Sequence, residues 1–303
     1  MAVELRHLRY LLAVAEHASF TRAAEALHIS QPTLSQQVKQ LERAVRTQLL
    51  DRTGRTVRLT DAGEAYVRYA RRALQDLAAA ERAVLDVTDL SRGTLRLAMT
   101  PTFTPYLLGP LAADFHSRHP GISLEIREMT QDHIESGLLA DELDLGIAFG
   151  GPHLSGVAAT ALFTETLSLV VGAGHPRVGR AGPLPVDELA TVDLALLSGD
   201  FATRGHVDAY LAAHRVRPRI AVEANSVSAL IELVRRTDLA TVLPDAIAHD
   251  DPRLHPLAPD PPLPPRTVTL LRRESAYTSA ATRAFTRLLR DHRPPAPGTP
   301  APG

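Results

Sequence analysis

The chain has 303 residues, 45% of them apolar and 22% charged, and a formal net charge of −1. That length suits two or three domains, the apolar share is enough for folded cores, and near-neutrality offers no overall basic field to gather nucleic acid. Cysteine is absent, which excludes disulfides, thiolate nucleophiles and cysteine-ligated metals. No basic-then-apolar leader opens the chain and no run approaches the ~18 apolar residues of a membrane span. The expectation is a soluble cytoplasmic protein without a membrane partner.

In chain order, Leu5, Leu8, Leu11, Leu12 and Ala15 recur at helical spacing over residues 5–16. Ser19 is a good cap for a helix over 20–27, with Arg22 on its polar face. His28 and Ile29 form a break. Ser30 caps the next helix, which runs to about Val45, and Pro32 sits in its first turn, where a missing N–H costs nothing. Two helices joined by so short a turn form the helix-turn-helix pattern. Ala23, Ala24 and Leu27 against Leu34, Val38 and Leu41 supply the apolar lock. Gln31, Thr33, Ser35, Gln36 and Lys39 then face outward, short polar groups suited to base edges and phosphates in a major groove that just admits a helix. Free N–H groups at the helix N-terminus also favour phosphate.

The stretch DRTGRTVRLT places Gly54 at a turn between two β-like runs. Its Arg52, Arg55 and Arg58 read as a basic wing contributing the salt-dependent, sequence-blind part of binding. Residues 1–58 hold nine Arg or Lys against five acids, a local surplus of the sign phosphates require. Thr60 or Asp61 then caps a helix of roughly 25 to 30 residues, ~40 Å long. Along it Tyr66, Tyr69, Ala73, Leu77, Ala80, Val84 and Val87 step at close to the 3.5-residue period of a two-chain coiled-coil seam.

Gly93 ends that helix, and β-like and α-like runs alternate from Thr94: LRLAM, a helix over 107–119, ISLEIREM, a helix near 134–140, then LDLGIAF. Further β-like runs follow at 167–171 and 194–197, then a helix over 206–214, a strand over 219–223 and a helix over 227–236. This grammar predicts an α/β architecture with largely parallel sheets. From Pro294 onward the chain is rich in Pro, Ala and Gly and is expected to be a disordered tail. His116 and His119 have helical spacing but no accompanying acid pair, and neither a metal nor a cofactor is expected. Phosphate-loop, dinucleotide and nucleophile-elbow motifs are absent from the sequence.

In two-lobed α/β domains ligands bind between the lobes, at strand C-terminal ends beside helix N-termini. LRLAM ends at Thr100, Thr102 and Phe103; ISLEIREM ends at Thr130; LDLGIAF ends at Phe149. In the second lobe SGDFATR, with Phe201, Thr203 and Arg204, precedes the helix at His206, and Ser226 precedes the one at Val227. The hydroxyls and N–H groups could hold a small anion, with Arg204 as counter-charge.

The segment RHLRYLLAVAEHASFTRAAEALHISQPTLSQQVKQLE, then LLDRTGRTVRLTDAGE and TLRLAMTPTF, resembles the LysR-type transcriptional regulators, and the likeness covers nearly the whole chain. It implies a winged helix-turn-helix over 1–60, a coiled-coil linker helix that dimerises over 61–92, and a two-lobed, periplasmic-binding-protein-like effector domain over 93–292. Lobe I would comprise about 93–163 and 266–292, lobe II about 164–265, with the tail over 293–303. It further implies homodimers assembling into homotetramers on promoter DNA, contact with RNA polymerase, a small-molecule co-inducer and no catalysis. Within the family, MTPTFTPYLLGPLAADF, EMTQDHIE, DELDLGIAF and EANSVSALIELVRRTDLATVLP look like the cyanate-operon regulators, which implies activation of a cyanate-detoxification operon with cyanate as co-inducer. Another pathway with a small carboxylate or aromatic effector is the alternative, and a binding protein or enzyme without DNA binding is the reading from a different class.

Three positions depart from the family pattern. Arg46-Thr47 stand where a Gly is usual after the second helix, Leu49-Leu50 where Leu-Phe is usual, and Thr237 where most members have Gly. The first two put the helix C-cap and the wing packing in doubt.

Overall fold

The computed structural model describes residues 3–53, 56–86, 92–274 and 276–292. Gly54 and Arg55 of the expected wing, Val87 of the expected seam and the 293–303 tail lie outside the described residues. Contacts divide the chain into two units, Met1–Val84 and Leu85–Gly303.

The first unit is built from α1 (Leu5–His17), α2 (Phe20–Ala26), α3 (Gln31–Val45), the short strands β1 (Leu50–Asp51) and β2 (Arg58–Leu59), and α4 (Asp61–Asp86). Ser19 Oγ accepts from the Arg22 N–H and Ser30 Oγ from the Thr33 N–H, so each helix of the pair begins where its hydroxyl can satisfy a first-turn donor. Leu11, Val14, Ala23, Leu34, Val38 and Leu41 are fully buried between α1, α2 and α3. Losing any of those leucines to alanine should cost about 2–5 kcal/mol, the usual toll of a core cavity. Leu49 and Leu50 are 2% exposed and complete that core. The Leu-Leu pair therefore packs the wing in place of the more usual Leu-Phe.

Arg46 caps α3 at φ 56°, in the left-handed region that glycine adopts freely, and the N–H of Thr47 closes on the Glu42 carbonyl. β1 and β2 pair antiparallel, Leu50 opposite Leu59. The first turn of α4 rides so close on this hairpin that a Cβ at Gly63 would lie 2.0 Å from the Leu49 carbonyl oxygen. Further along α4, Val67 and Ala70 are buried, whereas Tyr69 is 72% and Leu77 42% exposed.

The second unit holds two five-stranded sheets and a short two-stranded one. In chain order its elements are β3 (Gly93–Met99), α5 (Gly109–Arg118), β4 (Ile122–Glu128), α6 (Gln131–Leu139), β5 (Leu145–Phe149), β6 (Val157–Glu165), β7 (Leu167–Gly172), β8 (Leu184–Pro185), β9 (Asp193–Leu197), α7 (Ala202–Ala213), β10 (Arg219–Ala224), α8 (Val227–Arg236), β11 (Ala240–Pro244), α9 (Asp245–Asp250), β12 (Leu254–Leu257), β13 (Pro259–Asp260), β14 (Arg266–Arg273) and α10 (Ala280–Asp291). One five-stranded sheet has the order β4-β3-β5-β14-β6 and the other β10-β9-β11-β7-β12, and the short one pairs β8 with β13.

Within the two five-stranded sheets the pairs β3–β4, β3–β5, β9–β10 and β9–β11 are parallel; β14 runs antiparallel to β5 and β6, and β7 antiparallel to β11 and β12. The largely parallel expectation is corrected to two mixed sheets. The reason is topological: the chain leaves the first sheet after β6 and returns through β14, and each passage adds a strand of reversed direction. α5 and α10 cover one face of the first sheet and α6 the other. α8 and α9 cover one face of the second and α7 the other. The core containing α5, α8 and α10 runs through both sheets, from Leu95 and Phe115 to Leu230 and Leu243.

Several boundaries differ from expectation. Gly93 opens β3 rather than ending the long helix. The helix expected over 107–119 is α5, preceded by a tight turn at Pro101–Phe103 and a wide π-type turn at Thr104–Leu108. α7 begins at Ala202, four residues before the expected start. At Thr237 the backbone is extended (φ −138°), so no glycine is required, and its hydroxyl donates to the Leu233 carbonyl and accepts from the Leu239 N–H.

Candidate nucleic-acid interface and ligand cleft

On α3 the residues at 31, 32, 33, 36 and 39 are exposed and Ser35 is half-buried, while Leu34, Val38 and Leu41 face the core. Gln31, Pro32, Thr33, Gln36 and Lys39 thus form one exposed strip; the free N–H groups expected at its leading end are not there, because Pro32 has none and those of Thr33 and Leu34 bond the hydroxyl and carbonyl of Ser30. Thr33 is partly engaged, because its hydroxyl shares a 2.7 Å hydrogen bond with Ser30. Arg22 reaches back to the His17 carbonyl and remains exposed.

Arg52 does more in the fold than a free wing cation. Its Nη2 lies 2.7 Å from Glu42 Oε2 and its guanidinium 5.3 Å from the Phe20 ring centroid. Glu42 Oε1 accepts from the N–H groups of Leu49 and Leu50. One carboxylate on α3 therefore fixes the start of the wing, a role that the sequence reading left unassigned. Arg58 is exposed on β2.

In the second unit a cavity of about 450 Å³ opens between the sheets. It is lined by Gln131, Phe149 and Gly150 from the first lobe, by Phe201 and His206 from the second, and by Arg266. Of the nine effector-site residues expected from sequence, Phe149 and Phe201 line this cavity. Thr203 lies one contact behind, accepting from Arg266 Nη1 at 2.8 Å. Thr100, Thr102 and Phe103 are buried at the end of β3, with the Phe103 ring 5.1 Å from that of Phe149. Thr130 sits before α6 and its hydroxyl bonds the His133 ring. Ser226 is occupied as the cap of α8.

Arg204 does not take the position expected of a counter-charge. It lies inside the first turn of α7, bonded to Asp208, Glu223 and the Leu197 carbonyl, so its charge is already balanced.

Arg266 is the arginine on the cavity wall, and it too is paired, with Glu165. It is 8% exposed, donates through Nε to Glu165 at 2.5 Å, and stacks on Phe149 with its guanidinium carbon 3.7 Å from the ring centroid. Glu165 also accepts from the Tyr106 hydroxyl at 2.7 Å. Burial pulls the Arg266 pKa down, opposed by Glu165, and burial beside Glu165 pushes the Tyr106 phenol up. The pair is a desolvated ion pair whose two members need each other. Arg266 Nη2 is buried without a partner. A sequence signal existed: Arg266 shares strand parity with Val268 and Leu270, so a charge falls on the inward face of an apolar strand.

Behind the cavity wall, Glu135 is 4% exposed and accepts from the Leu154 N–H at 2.7 Å and from Gln131, beside the His153 ring at 2.8 Å. Burial favours its neutral form, but these hydrogen bonds outweigh that and leave its pKa below the usual carboxylate value. Gln131 in turn accepts from the Phe149 N–H. This chain of contacts fixes the Gly150–His153 loop at the cavity rim. Among the described residues no cluster of three His, Cys, Asp or Glu side chains is placed to hold a metal, and no helix is long and apolar enough to cross a membrane.

Comparison with known proteins agrees with both units. Residues 5–64 match the bacterial regulatory helix-turn-helix protein model of the lysR family, and residues 88–294 match the LysR substrate binding domain. The nitrogen assimilation regulatory protein nac of Klebsiella aerogenes is 31% identical over 81% of this chain and 80% of its own length. The RuBisCO operon transcriptional regulator of Allochromatium vinosum is 37% identical, and the match spans 59% of each protein. A full-length OxyR variant from Pseudomonas aeruginosa superposes with a TM-score of 0.69 at 26% identity, covering 99% of this chain and all of that one. With its helix-turn-helix, its two-lobed α/β domain and both family models matched in order, the chain belongs to the LysR family of bacterial regulatory proteins.

Proposed function

We propose that this chain is a ligand-responsive transcriptional activator: residues 1–60 bind promoter DNA, residues 61–92 pair two chains, and residues 93–292 take a small effector. The observation that carries the reading is the α3 strip of Gln31, Thr33, Gln36 and Lys39, exposed on a helix whose opposite face is locked into the core. A solvated structural helix would carry Glu and Lys there; this face is almost free of charge and rich in groups that both donate and accept. The exposed Tyr69, Ala73, Leu77 and Ala80 along α4 support pairing with a second copy, since single-chain packing leaves that seam uncovered. Assembly of such dimers into a homotetramer, and contact with RNA polymerase, follow from the family resemblance.

For the effector we propose a small anion acting in the cleft between the lobes. Cyanate is the candidate drawn from the likeness to cyanate-operon regulators, with Arg266 rather than Arg204 as its counter-charge. The cavity volume favours a second reading: 450 Å³ is far more than a three-atom anion fills and lies in the range of clefts for larger small molecules. A carboxylate with an apolar body suits it better. Footprinting of the upstream promoter fragment, with and without cyanate and small aromatic acids, tests both parts. A footprint that changes only with cyanate supports the cyanate operon; one that changes only with the acids replaces it. Absence of any footprint contradicts the reading of residues 1–60.

A further inference from the structure

Away from the cleft, one exposed helix face carries a row of positive charge that no carboxylate among the described residues balances. We propose that this face of α10, formed by Arg283, Arg287 and Arg290, is a second DNA-contacting surface, which holds the phosphate backbone beside the segment that α3 occupies and reads no sequence. This rests on the reading above that the chain binds promoter DNA, and it adds a surface in the other unit.

The sequence of α10, AATRAFTRLLRD, sets its three arginines four and three residues apart. At 3.6 residues per turn they fall within about 60° of one another around the helix, along roughly 10 Å of its axis. Ala281, Thr282, Ala284, Phe285, Leu288 and Leu289 are buried on the opposite side, and the Phe285 ring lies 5.3 Å from that of Phe115 on α5. That packing fixes the rotation of α10, so the row stays in solvent, with all three arginines exposed.

As a merely solvated face the row is poorly composed, because like charges three and four residues apart on a helix repel. The helix dipole accounts for Arg290 in the last turn. It does not account for Arg283, which stands toward the positive end of a helix with no acid in its first turn. Arg283 donates to the Thr278 carbonyl, which holds the side chain but leaves its charge unbalanced. Other surface arginines of this unit do meet carboxylates: Arg118 pairs with Asp114, Arg219 with Asp193 and Arg236 with Glu232. The composition also selects the partner. Between Arg283 and Arg290 the one further side chain that is not buried is the half-buried Thr286, so the row lacks the aromatic or apolar anchors on which protein interfaces depend. Guanidinium forks match phosphate oxygens. A duplex carries a negative charge about every 1.7 Å of its axis, so a row ~10 Å long meets several phosphates whatever the sequence.

The test is the salt dependence of duplex binding by the full-length protein, on a short duplex limited to the footprinted site and on one extended to both sides. The wild type should bind the long duplex more tightly, with log affinity falling more steeply against log salt by about 0.9 for each added phosphate contact. The triple variant Arg283→Gln/Arg287→Gln/Arg290→Gln should lose that gain, yet match the wild type on the short duplex and in melting temperature. Arg283→Lys/Arg287→Lys/Arg290→Lys should keep most of the gain, since the charge remains. A wild type that gains nothing from the longer duplex, or a gain that survives the glutamine substitutions, would overturn the proposal and leave α3 as the binding surface. A glutamine variant that binds both duplexes like the wild type but no longer activates transcription would also overturn it, and would assign the row to an acidic protein. A wild type that binds neither duplex contradicts the regulator reading itself, and this proposal with it.

Discussion

Single residues in this protein do work that their type alone does not advertise. Arg46 occupies a left-handed cap (φ 56°) where a non-glycine residue is strained by roughly 1–2 kcal/mol. Arg46→Gly should relieve that strain, less the extra chain entropy of glycine in the unfolded state, and stabilise the first unit by about 0.5–1 kcal/mol. A rise in its melting temperature checks this. Arg266 and Glu165 form a buried pair, so Arg266→Met alone should cost about 3–5 kcal/mol by stranding Glu165, while adding Glu165→Gln should recover most of the loss; urea unfolding of the two singles and the double measures the coupling. Glu135 has a depressed pKa in the folded state, so its contribution to stability is present above its ordinary value of 4.5 and fades as pH falls through and below it. Glu135→Gln should therefore flatten stability against pH between about pH 5 and 3, with thermal melts as the measurement. Arg204 and Arg266 show the limit of reading charges from sequence. Arg204 looked available because it follows a strand end, yet Asp208 one turn later and Glu223 on the neighbouring strand satisfy it; the second of these comes from pairing that no local pattern reveals.

At the scale of elements, legibility followed the strength of local chemistry. α2 and α3 begin at the expected hydroxyls because Ser19 and Ser30 are self-sufficient caps. α7 begins four residues early because its cap is Phe201, whose position is set by burial and by the Phe201 N–H bonding the Ser198 carbonyl rather than by a capping side chain. α10 was not read from the sequence at all, although Ser279 caps it through the Thr282 N–H; it follows a strand of its own lobe after a short link, with no glycine or proline punctuation between. The wing depends on a contact that no local pattern reveals, the Glu42 carboxylate holding the Leu49 and Leu50 N–H groups and Arg52. Glu42→Ala should cost about 1–3 kcal/mol through those unpaired donors and weaken DNA binding without altering α3; a gel shift combined with a thermal melt separates the two effects. Gly63 is fixed by the 2.0 Å approach of its absent Cβ to the Leu49 carbonyl, so Gly63→Ala should displace α4 from the hairpin and destabilise the same unit.

Across the whole molecule, the proposed function gives the two units separable tasks: residues 1–60 would choose a DNA site, and the cleft would report a ligand. The α/β class was legible because β and α runs alternate; the mixed strand directions were not, because they arise from the two passages of the chain between sheets and leave no periodic trace. The expected effector residues were drawn toward strand ends rich in hydroxyls, and several of those hydroxyls serve the fold: Ser226 caps α8, Thr130 bonds His133, and Thr203 anchors Arg266. The central claim is that α3 reads DNA. The most direct measurement is a gel shift of the upstream promoter duplex with wild-type protein and with Gln36→Ala/Lys39→Ala, both positions being exposed and outside the core. The wild type should shift the duplex, with log affinity falling against log salt by about 0.9 per phosphate contact, and the double variant should lose the shift while melting at the same temperature. A double variant that folds and shifts the duplex as well as the wild type would contradict the claim.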